Sequence, residues 1–281
     1  MNVEDVMTPR EEVVSVEIPG TRDDALEYLQ DRAFSSVPAL KQTPEGEVYR
    51  GIVSRGALIE YPDEDQLALL ADEIAPTATE TSLTAVTERM LTAGERRLPV
   101  ADDDGLAGIV TVTDIVRAIA RGAGADLTVD DVATETVNAV YRDTPLPVAE
   151  RELAYAGVPY AIVLTETGVT GILTEVDILA VARVVEGETE TGESIANQDD
   201  EWAWEGIKAV GNSYMPTRNV EIPTGPVGAF MTEDLVTVSG SRSVAETAQL
   251  LIEHDIEQIP VMRGGSLDGI VQDIHLLEAM R

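Results

Sequence analysis

The sequence predicts a mixed α/β fold built from four tandem β-α-β-β-α repeats. Similar segments recur with a period of about 60 residues, closer to a small domain than to a solenoid unit. In each repeat a helical pattern leads into an apolar-proline strand, and a strand that begins with glycine then runs into a closing helix. At 281 residues the chain is long enough to bury a sizeable core and to form two domains.

Each repeat begins with a short segment of acidic and apolar residues, followed by a β-branched strand. The opening segments are residues 5–9, 73–76, 131–134 and 230–232. The β-branched pattern is clearest at residues 13–16 and 235–238, where we predict the first strand of the first and last repeats.

An amphipathic helix and an apolar-proline strand come next in every repeat. Ser243 and Glu246 have capping-box spacing at the start of the fourth repeat's helix, and Val244, Ala248 and Leu251 lie on its predicted apolar face. The prolines of the following strands are Pro38, Pro99, Pro159 and Pro260.

The closing strand and helix are most complete in the second repeat, over residues 108–119. Apolar residues lead into Thr111, Thr113 and Asp114, and apolar residues three and four apart then predict a helix. Asp114 therefore lies where that helix begins. A short carboxylate at this place either caps backbone amides or accepts a hydrogen bond from a ligand hydroxyl, and both alternatives remain open.

The other three copies of this motif retain it to different degrees. The third repeat retains Thr174 and Asp177, whereas residues 51–58 and 269–276 have Ala57 and His275 at the position of the aspartate. We therefore expect the four repeats to be unequal as ligand sites.

Composition excludes several classes of protein. The chain has no cysteine, and its 52 acidic and 19 basic residues give a formal charge of −33, which disfavours nucleic acid and anionic membranes as partners. It is 44% hydrophobic and patterned throughout, so it is expected to fold. An acid-rich surface with only two lysines, Lys41 and Lys208, is typical of a halophile. With no apolar stretch of about 18 residues and no signal-like start, we expect a cytoplasmic protein.

Catalytic motifs are missing as well. The sequence has no Walker loop and no dinucleotide fingerprint, and His254 and His275 are the only imidazoles. We therefore expect neither an enzyme nor a metal site.

Residues 185–226 have no counterpart in the other repeats. This insertion begins with an acidic run without periodicity at residues 186–193 and contains both tryptophans, Trp202 and Trp204. Two indoles indicate either a docking surface or a helical lid that packs on its own module, and we favour the lid.

The recurring elements together resemble the cystathionine-β-synthase (CBS) domain. The resemblance rests on the opening Asp-Val-Met-Thr, the apolar-Pro-Val strand and the closing Gly-Ile-Val-Thr-x-x-Asp, and it covers nearly all of the chain outside the insertion. It implies that consecutive repeats pair by a pseudo-two-fold axis into Bateman modules. The implied modules are residues 1–122, with repeats 1–66 and 67–122, and residues 126–281, with repeats 126–184 and 227–281.

The resemblance also implies an adenosine-nucleotide site in the first module. Asp114 would hold the ribose hydroxyls, beside Thr111 and Thr113. The remaining implied contacts are Ser15 on the first strand, Phe34 and Ser35 against the base, and Arg96 and Arg97 on the phosphates. For the two arginines, a solvated pair that offsets Glu95 is an open alternative.

The same pattern ranks the other clefts lower. A weaker second site would comprise Thr174, Asp177, Thr237 and Ile256, with Glu257 repelling phosphate. The clefts at Ala57 and His275 lack the aspartate, and we expect them to bind nucleotide more weakly or not at all.

The resemblance thus implies a regulatory, non-catalytic protein of halophilic archaeal type. It would sense AMP, ADP, ATP or a related adenosine compound without a further cofactor, and relay occupancy to an unidentified protein partner, as a homodimer or other homo-oligomer. The alternative is a scaffold with empty clefts that docks a partner through the Trp202–Trp204 region.

Overall fold

The fold is the predicted mixture of helices and small sheets. The computed structural model describes residues 1–31, 36–44, 46–61, 64–102, 105–190 and 214–281. Phe34 and Ser35, and also Trp202 and Trp204, lie outside these described residues.

The first repeat has a four-element core preceded by short extended pieces. Its strands are β1 (Thr8–Pro9), β2 (Val16–Glu17), β3 (Ser36–Thr43) and β4 (Gly46–Ser54), and its helices are α1 (Arg22–Asp31) and α2 (Arg55–Glu60). Only Val16 of the predicted strand 13–16 lies in β2, because pairing with β3 is confined to Val16 and Glu17.

The second repeat follows the same order. It comprises α3 (Leu67–Leu70), β5 (Ala71–Asp72), α4 (Leu83–Ala93), β6 (Arg97–Asp102), β7 (Gly105–Thr111) and α5 (Val112–Ala120). Ser82 caps α4 by accepting a hydrogen bond from the Ala85 amide at 3.2 Å, and Gly94 ends the helix in the left-handed conformation.

The third repeat is followed by a pair of antiparallel strands. Its elements are α6 (Val129–Val132), β8 (Ala139–Tyr141), α7 (Leu146–Ala156), β9 (Tyr160–Thr165), β10 (Gly168–Thr174) and α8 (Glu175–Val181), followed by β11 (Arg183–Glu190) and β12 (Tyr214–Glu221). The backbones of β11 and β12 pair antiparallel from Arg183 opposite Glu221 to Glu190 opposite Tyr214. The ends of the insertion are thus paired strands, including the first part of the acidic run.

The fourth repeat contains α9 (Val244–His254), β13 (Gln258–Arg263), β14 (Ser266–Gln272) and α10 (Asp273–Leu276). The predicted strand at residues 235–238 was wrong. Only Val238 pairs there, as an isolated parallel bridge to Val261, because the adjoining residues make no further ladder.

Opening segments cross to the neighbouring repeat instead of staying in their own. β1 of the first repeat pairs with β7 of the second, and β5 of the second pairs with β4 of the first. In the other half, Thr134 bridges to Ile270 and Thr232 bridges to Ile172. Consecutive repeats therefore exchange their first segments.

This exchange explains the glycine at the centre of each closing strand. A Cβ at Gly51 or Gly171 would lie 2.7 Å from the carbonyl oxygen of Asp72 or Thr232. At Gly269 it would lie 2.5 Å from the Thr134 carbonyl oxygen, and at Gly108 it would clash with that of Thr8. Backbone crosses backbone at all four places, so a side chain has no room.

Helices of the second and fourth repeats share the largest core. Helix α5 packs on α9, and Ile115, Ile119, Val244 and Leu251 lie buried in one cluster. The first and third repeats have separate cores, and Ile172 and Ile270 join the third and fourth repeats between their sheets. Among the described residues, no helix is both long and apolar enough to cross a membrane.

Candidate functional site

Asp114 is held at the start of α5 by a reciprocal cap. Its Oδ2 accepts hydrogen bonds from the Thr111 amide at 2.9 Å and from the Thr111 hydroxyl at 2.8 Å. The Asp114 amide in turn donates to Thr111 Oγ1 at 3.3 Å. This Thr-x-x-Asp spacing is a capping box, so the local sequence alone fixes the direction of the carboxylate.

The second oxygen of Asp114 faces a cation. Arg117 Nη1 donates to Asp114 Oδ1 at 3.0 Å, and the Asp114 residue is 5% exposed. Burial raises the pKa of Asp114, while the Thr111 hydrogen bonds and the Arg117 charge act in the opposite direction.

A cavity of about 310 Å³ opens beside this cap. Both repeats of the first half line it, with Val13, Val14, Ser36 and Pro38 on one side and the Thr111–Asp114 turn on the other. Its wall brings together five of the predicted site residues, namely Thr111, Thr113, Asp114, Arg96 and Arg97. Its size lies at the lower end of the range typical of small-molecule pockets.

Two of the predicted contacts are placed differently or lie outside the described residues. Ser15 is half-buried but is not among the described wall residues, where its neighbours Val13 and Val14 are found. Phe34 and Ser35 belong to residues 32–35, outside the described part of the chain.

Arg96 forms ion pairs that cross between the second and fourth repeats. Its Nη2 lies 2.5 Å from Asp273 Oδ2 and 3.2 Å from Glu257 Oε2. Glu95, the partner considered from the sequence, is paired instead with Arg89 at 3.1 Å. The alternative of a solvated arginine pair beside Glu95 is therefore wrong for Arg96, because its carboxylate partners come from a distant repeat.

Arg97 is half-buried next to this pair. Burial lowers the pKa of Arg97 to about 10, and the adjacent charge of Arg96 acts in the same direction. Arg96 and Arg97 thus bring two guanidinium groups to one wall of the cavity.

The aspartate cap recurs in the third repeat, where a different residue contacts the second carboxylate oxygen. Asp177 Oδ2 accepts from the Thr174 amide and hydroxyl, both at 2.8 Å, while Thr232 Oγ1 is 3.5 Å from Asp177 Oδ1. Burial raises the pKa of Asp177. Residue 180, three positions after Asp177, is Ala180, so the equivalent of Arg117 is missing here.

Asp177 lies on a second cavity, of about 490 Å³, to which all four repeats contribute. Of the residues predicted for the weaker site, Thr174, Asp177 and Ile256 line it, and so does Glu257. Thr237 is exposed and is not among its described wall residues.

The two remaining helix starts are capped without an aspartate. Ser54 Oγ accepts from the Ala57 amide at 3.1 Å, and the Gln272 amide donates to His275 Nδ1 at 3.2 Å. Burial lowers the pKa of His275, which favours the neutral imidazole that this hydrogen bond requires. Neither start presents a carboxylate at the position of Asp114.

Sequence reasoning missed three charged residues that follow the cap residue directly. Arg55, Glu175 and Asp273 are the first helical residues of α2, α8 and α10, and all three line the 490 Å³ cavity. The second repeat has buried Val112 at this place. The sequence signal that could have identified them is a charged residue directly after the cap position in three of the four repeats.

Comparison with known proteins identifies relatives over the whole length. The CBS domain family model matches residues 3–64, 71–121, 129–183 and 227–281. An uncharacterized protein of Methanocaldococcus jannaschii is 24% identical over 279 residues, covering 98% of this chain. The chain spans 61% of the length of that relative.

Solved structures share the fold. An uncharacterized conserved protein from Pyrococcus horikoshii matches with a TM-score of 0.67 and 24% identity, and each chain is covered completely. A protein of Methanocaldococcus jannaschii, described as a candidate archaeal homologue of γ-AMPK, matches with a TM-score of 0.77 and 16% identity, again over the whole of both chains. Both similarities indicate a common fold.

Proposed function

The chain belongs to the CBS domain family, and from this premise we propose that it is a regulatory protein that binds an adenosine nucleotide in the cleft at Asp114. In the family pattern the aspartate of Thr-x-x-Asp holds the ribose hydroxyls. Asp114 and Thr111 match that pattern residue by residue.

The observation that carries the proposal is the way the Asp114 carboxylate meets the 310 Å³ cavity. One carboxylate oxygen is fixed by the Thr111 cap, and the other receives a hydrogen bond from Arg117. Each carboxylate oxygen can accept about two hydrogen bonds. The Oδ1 atom therefore retains an acceptor position for a ribose hydroxyl, without loss of the cap.

The arginines give the same cavity a phosphate-binding side. Arg96 and Arg97 lie on its wall, and a guanidinium matches the geometry of a phosphate better than an ammonium does. Glu12, Asp255 and Glu257 lie on the wall too. These carboxylates favour a ligand with few phosphates over a highly charged one, so we place AMP ahead of ATP.

We propose further that the repeats form two modules, residues 1–122 and 126–281. The exchanged opening segments support this division, since they join the first repeat to the second and the third to the fourth. Nucleotide binding at Asp114 would then affect the other module through Arg96, because the ion-pair partners of Arg96, Asp273 and Glu257, belong to the fourth repeat. This is the route by which occupancy would reach a protein partner.

We rank the remaining clefts by the residues that they offer to a nucleotide. The Asp177 cleft is a second site, and the clefts at Ala57 and His275 stay weak or empty because these residues replace the aspartate that would hold the ribose. The protein acts by binding, without catalysis, in a cytoplasm rich in salt.

A thermal-shift series tests the proposal. AMP, ADP, ATP and adenosine are each added to the protein in molar KCl, where a ligand that binds only the native state raises the melting temperature by mass action. We expect a rise that saturates with AMP, and the absence of a shift with all four compounds would contradict the proposed function.

A further inference from the structure

Arg55 is a buried cation that no sequence pattern assigned. It is the first residue of α2 and is 7% exposed. Its Nε atom is fully enclosed and has no hydrogen-bond partner among the described residues. Within the described part of the chain, no carboxylate lies within 4 Å of its guanidinium nitrogens.

The Arg55 side chain lines the 490 Å³ cavity that also contains Asp177. Arg55 comes from the first repeat, whereas the ribose-binding motif on this cavity comes from the third. Arg96 and Arg97 of the second repeat lie on the same cavity. Three guanidinium groups of one half of the molecule thus line a cavity together with the Asp177 motif of the other half.

A buried guanidinium without a partner is costly, because the charge has left water and gained no hydrogen bond in return. Burial lowers the pKa of Arg55, and the more distant charges of Glu257 and Glu175 only partly oppose this effect. Glu257 is already paired with Arg96. The arrangement therefore fits a group that receives its hydrogen-bond partner from a bound anion.

We propose that Arg55 binds the phosphate of a nucleotide whose ribose is held by Asp177. This inference rests on the proposed function and adds to it a ligand class for the second cavity. The planar guanidinium can donate two parallel hydrogen bonds from its terminal nitrogens to one phosphate group, which gives the buried charge a partner. A nucleotide in this cavity joins the two modules, since its ribose and its phosphate are held by different halves of the chain.

The assignment changes the ranking of the second cleft. Glu257, Glu175 and Asp273 on this cavity would repel phosphate, but Arg55 adds a cation that can contact the ligand directly. The Asp177 cavity should therefore distinguish AMP from adenosine, and the distinction should depend on Arg55.

Calorimetric titrations in an Asp114→Ala background isolate the second cavity. AMP and adenosine are titrated into this protein and into versions that also carry Arg55→Met or, as a control, Arg50→Met at an exposed arginine of the same repeat. We expect Arg55→Met to weaken AMP binding by about tenfold or more, the scale of a lost hydrogen bond to a charged group. Adenosine affinity should change by less than about twofold, and Arg50→Met should leave both affinities unchanged. The same Arg55 and Arg50 variants are also made in the wild-type background, where their affinities are compared at the second binding event, which corresponds to the Asp177 cavity.

The melting temperature of the ligand-free protein separates a ligand-binding role from a structural one. If Arg55 is paired only when an anion is bound, Arg55→Met removes an unpaired buried charge from the ligand-free protein. The ligand-free variant should then melt at the same temperature as the wild type or higher. A lower melting temperature with unchanged AMP affinity would overturn the inference, and so would AMP binding at Asp114 alone. If the wild-type protein binds no nucleotide at all, the proposed function fails together with the inference.

Discussion

The Arg96 guanidinium of the second repeat lies 2.5 Å from the Asp273 carboxylate of the fourth, an ion pair between residues 177 positions apart in the chain. Asp273 is nearly buried, and Arg96 is partly exposed. The contact joins a wall of the Asp114 cavity to the first residue of α10. It is a direct polar link between the two proposed modules.

Loss of this link should destabilise the protein. We expect Arg96→Met to reduce the free energy of unfolding by about 1 to 3 kcal/mol, because it leaves the buried Asp273 carboxylate without its cation, and the loss is limited because Arg96 is itself partly exposed. Arg263, an exposed arginine that pairs with Asp268 at 2.7 Å, is the control. Denaturant unfolding in molar KCl measures both variants, and an Arg96→Met protein no less stable than Arg263→Met would contradict the prediction.

Glu175 should make stability depend on pH. Burial raises the pKa of Glu175 above 4.5, Glu257 raises it further, and Arg55 and Arg96 oppose the shift. The folded state therefore binds this proton more readily than the unfolded state, so the ionised carboxylate costs stability at neutral pH. The cost disappears as the pH falls through the raised pKa towards 4.5.

The isosteric variant Glu175→Gln isolates this contribution. Its melting temperature should exceed that of the wild type at pH 7, and the difference should shrink as the pH is lowered towards 4.5. Glu152→Gln, at an exposed glutamate, corrects for the loss of one negative charge. A Glu175→Gln protein that melts below the wild type at pH 7 would show that the ionised form is stabilising.

Gly108 should not tolerate a methyl group. A Cβ there would run into the Thr8 carbonyl oxygen of the exchanged segment, so we expect Gly108→Ala to cost about 1 to 3 kcal/mol. Gly56 lies in α2, and its nearest atom to a new Cβ is Ser54 Oγ at 3.7 Å. Gly56→Ala should be neutral or stabilise by up to about 1 kcal/mol. Equal effects of the two substitutions on thermal unfolding would be evidence against the exchange.

The features best predicted from the sequence are those determined by residues that are close together in the chain. Thr111 and Asp114 are three residues apart, and that spacing alone determines the capping box and therefore the direction of the carboxylate. The same holds for Thr174 and Asp177. The four repeats were predictable for a similar reason, since each contains its own helix pattern and its own proline strand.

Contacts between distant repeats were not predictable in this way. Arg96 meets Asp273, and Arg55 enters the cavity of Asp177, through the packing of whole repeats and not through any spacing in the sequence. The first strands were overpredicted because β-branched residues favour extended backbone, whereas ladder pairing also needs a neighbouring strand in register. Only Val238 of residues 235–238 has such a neighbour.

Salt should stabilise the protein and support nucleotide binding. The formal charge of −33 gives strong self-repulsion at low ionic strength, since the Debye length grows from about 3 Å at 1 M to about 10 Å at 0.1 M. An anionic nucleotide must also approach against this field. We expect melting temperature and AMP affinity to hold or rise as KCl is increased to molar concentration. A steady decline of both would contradict the halophilic interpretation.

The central claim is that Asp114 binds the ribose, and a capping aspartate elsewhere in the chain offers a matched control. Asp131 Oδ2 accepts hydrogen bonds from the Thr128 amide at 2.8 Å and the Thr128 hydroxyl at 2.7 Å, which is the same cap on an exposed helix start. Asp131→Ala thus removes an equivalent cap, whereas Asp114→Ala removes a cap and the proposed ribose acceptor.

Calorimetric titration of AMP in molar KCl into the wild type and these two variants is the most direct measurement. Asp114→Ala should weaken the tighter binding event by about 1.5 to 3 kcal/mol, the scale of a hydrogen bond to a charged group, and Asp131→Ala should leave it unchanged. An AMP affinity of Asp114→Ala equal to that of the wild type would contradict the account.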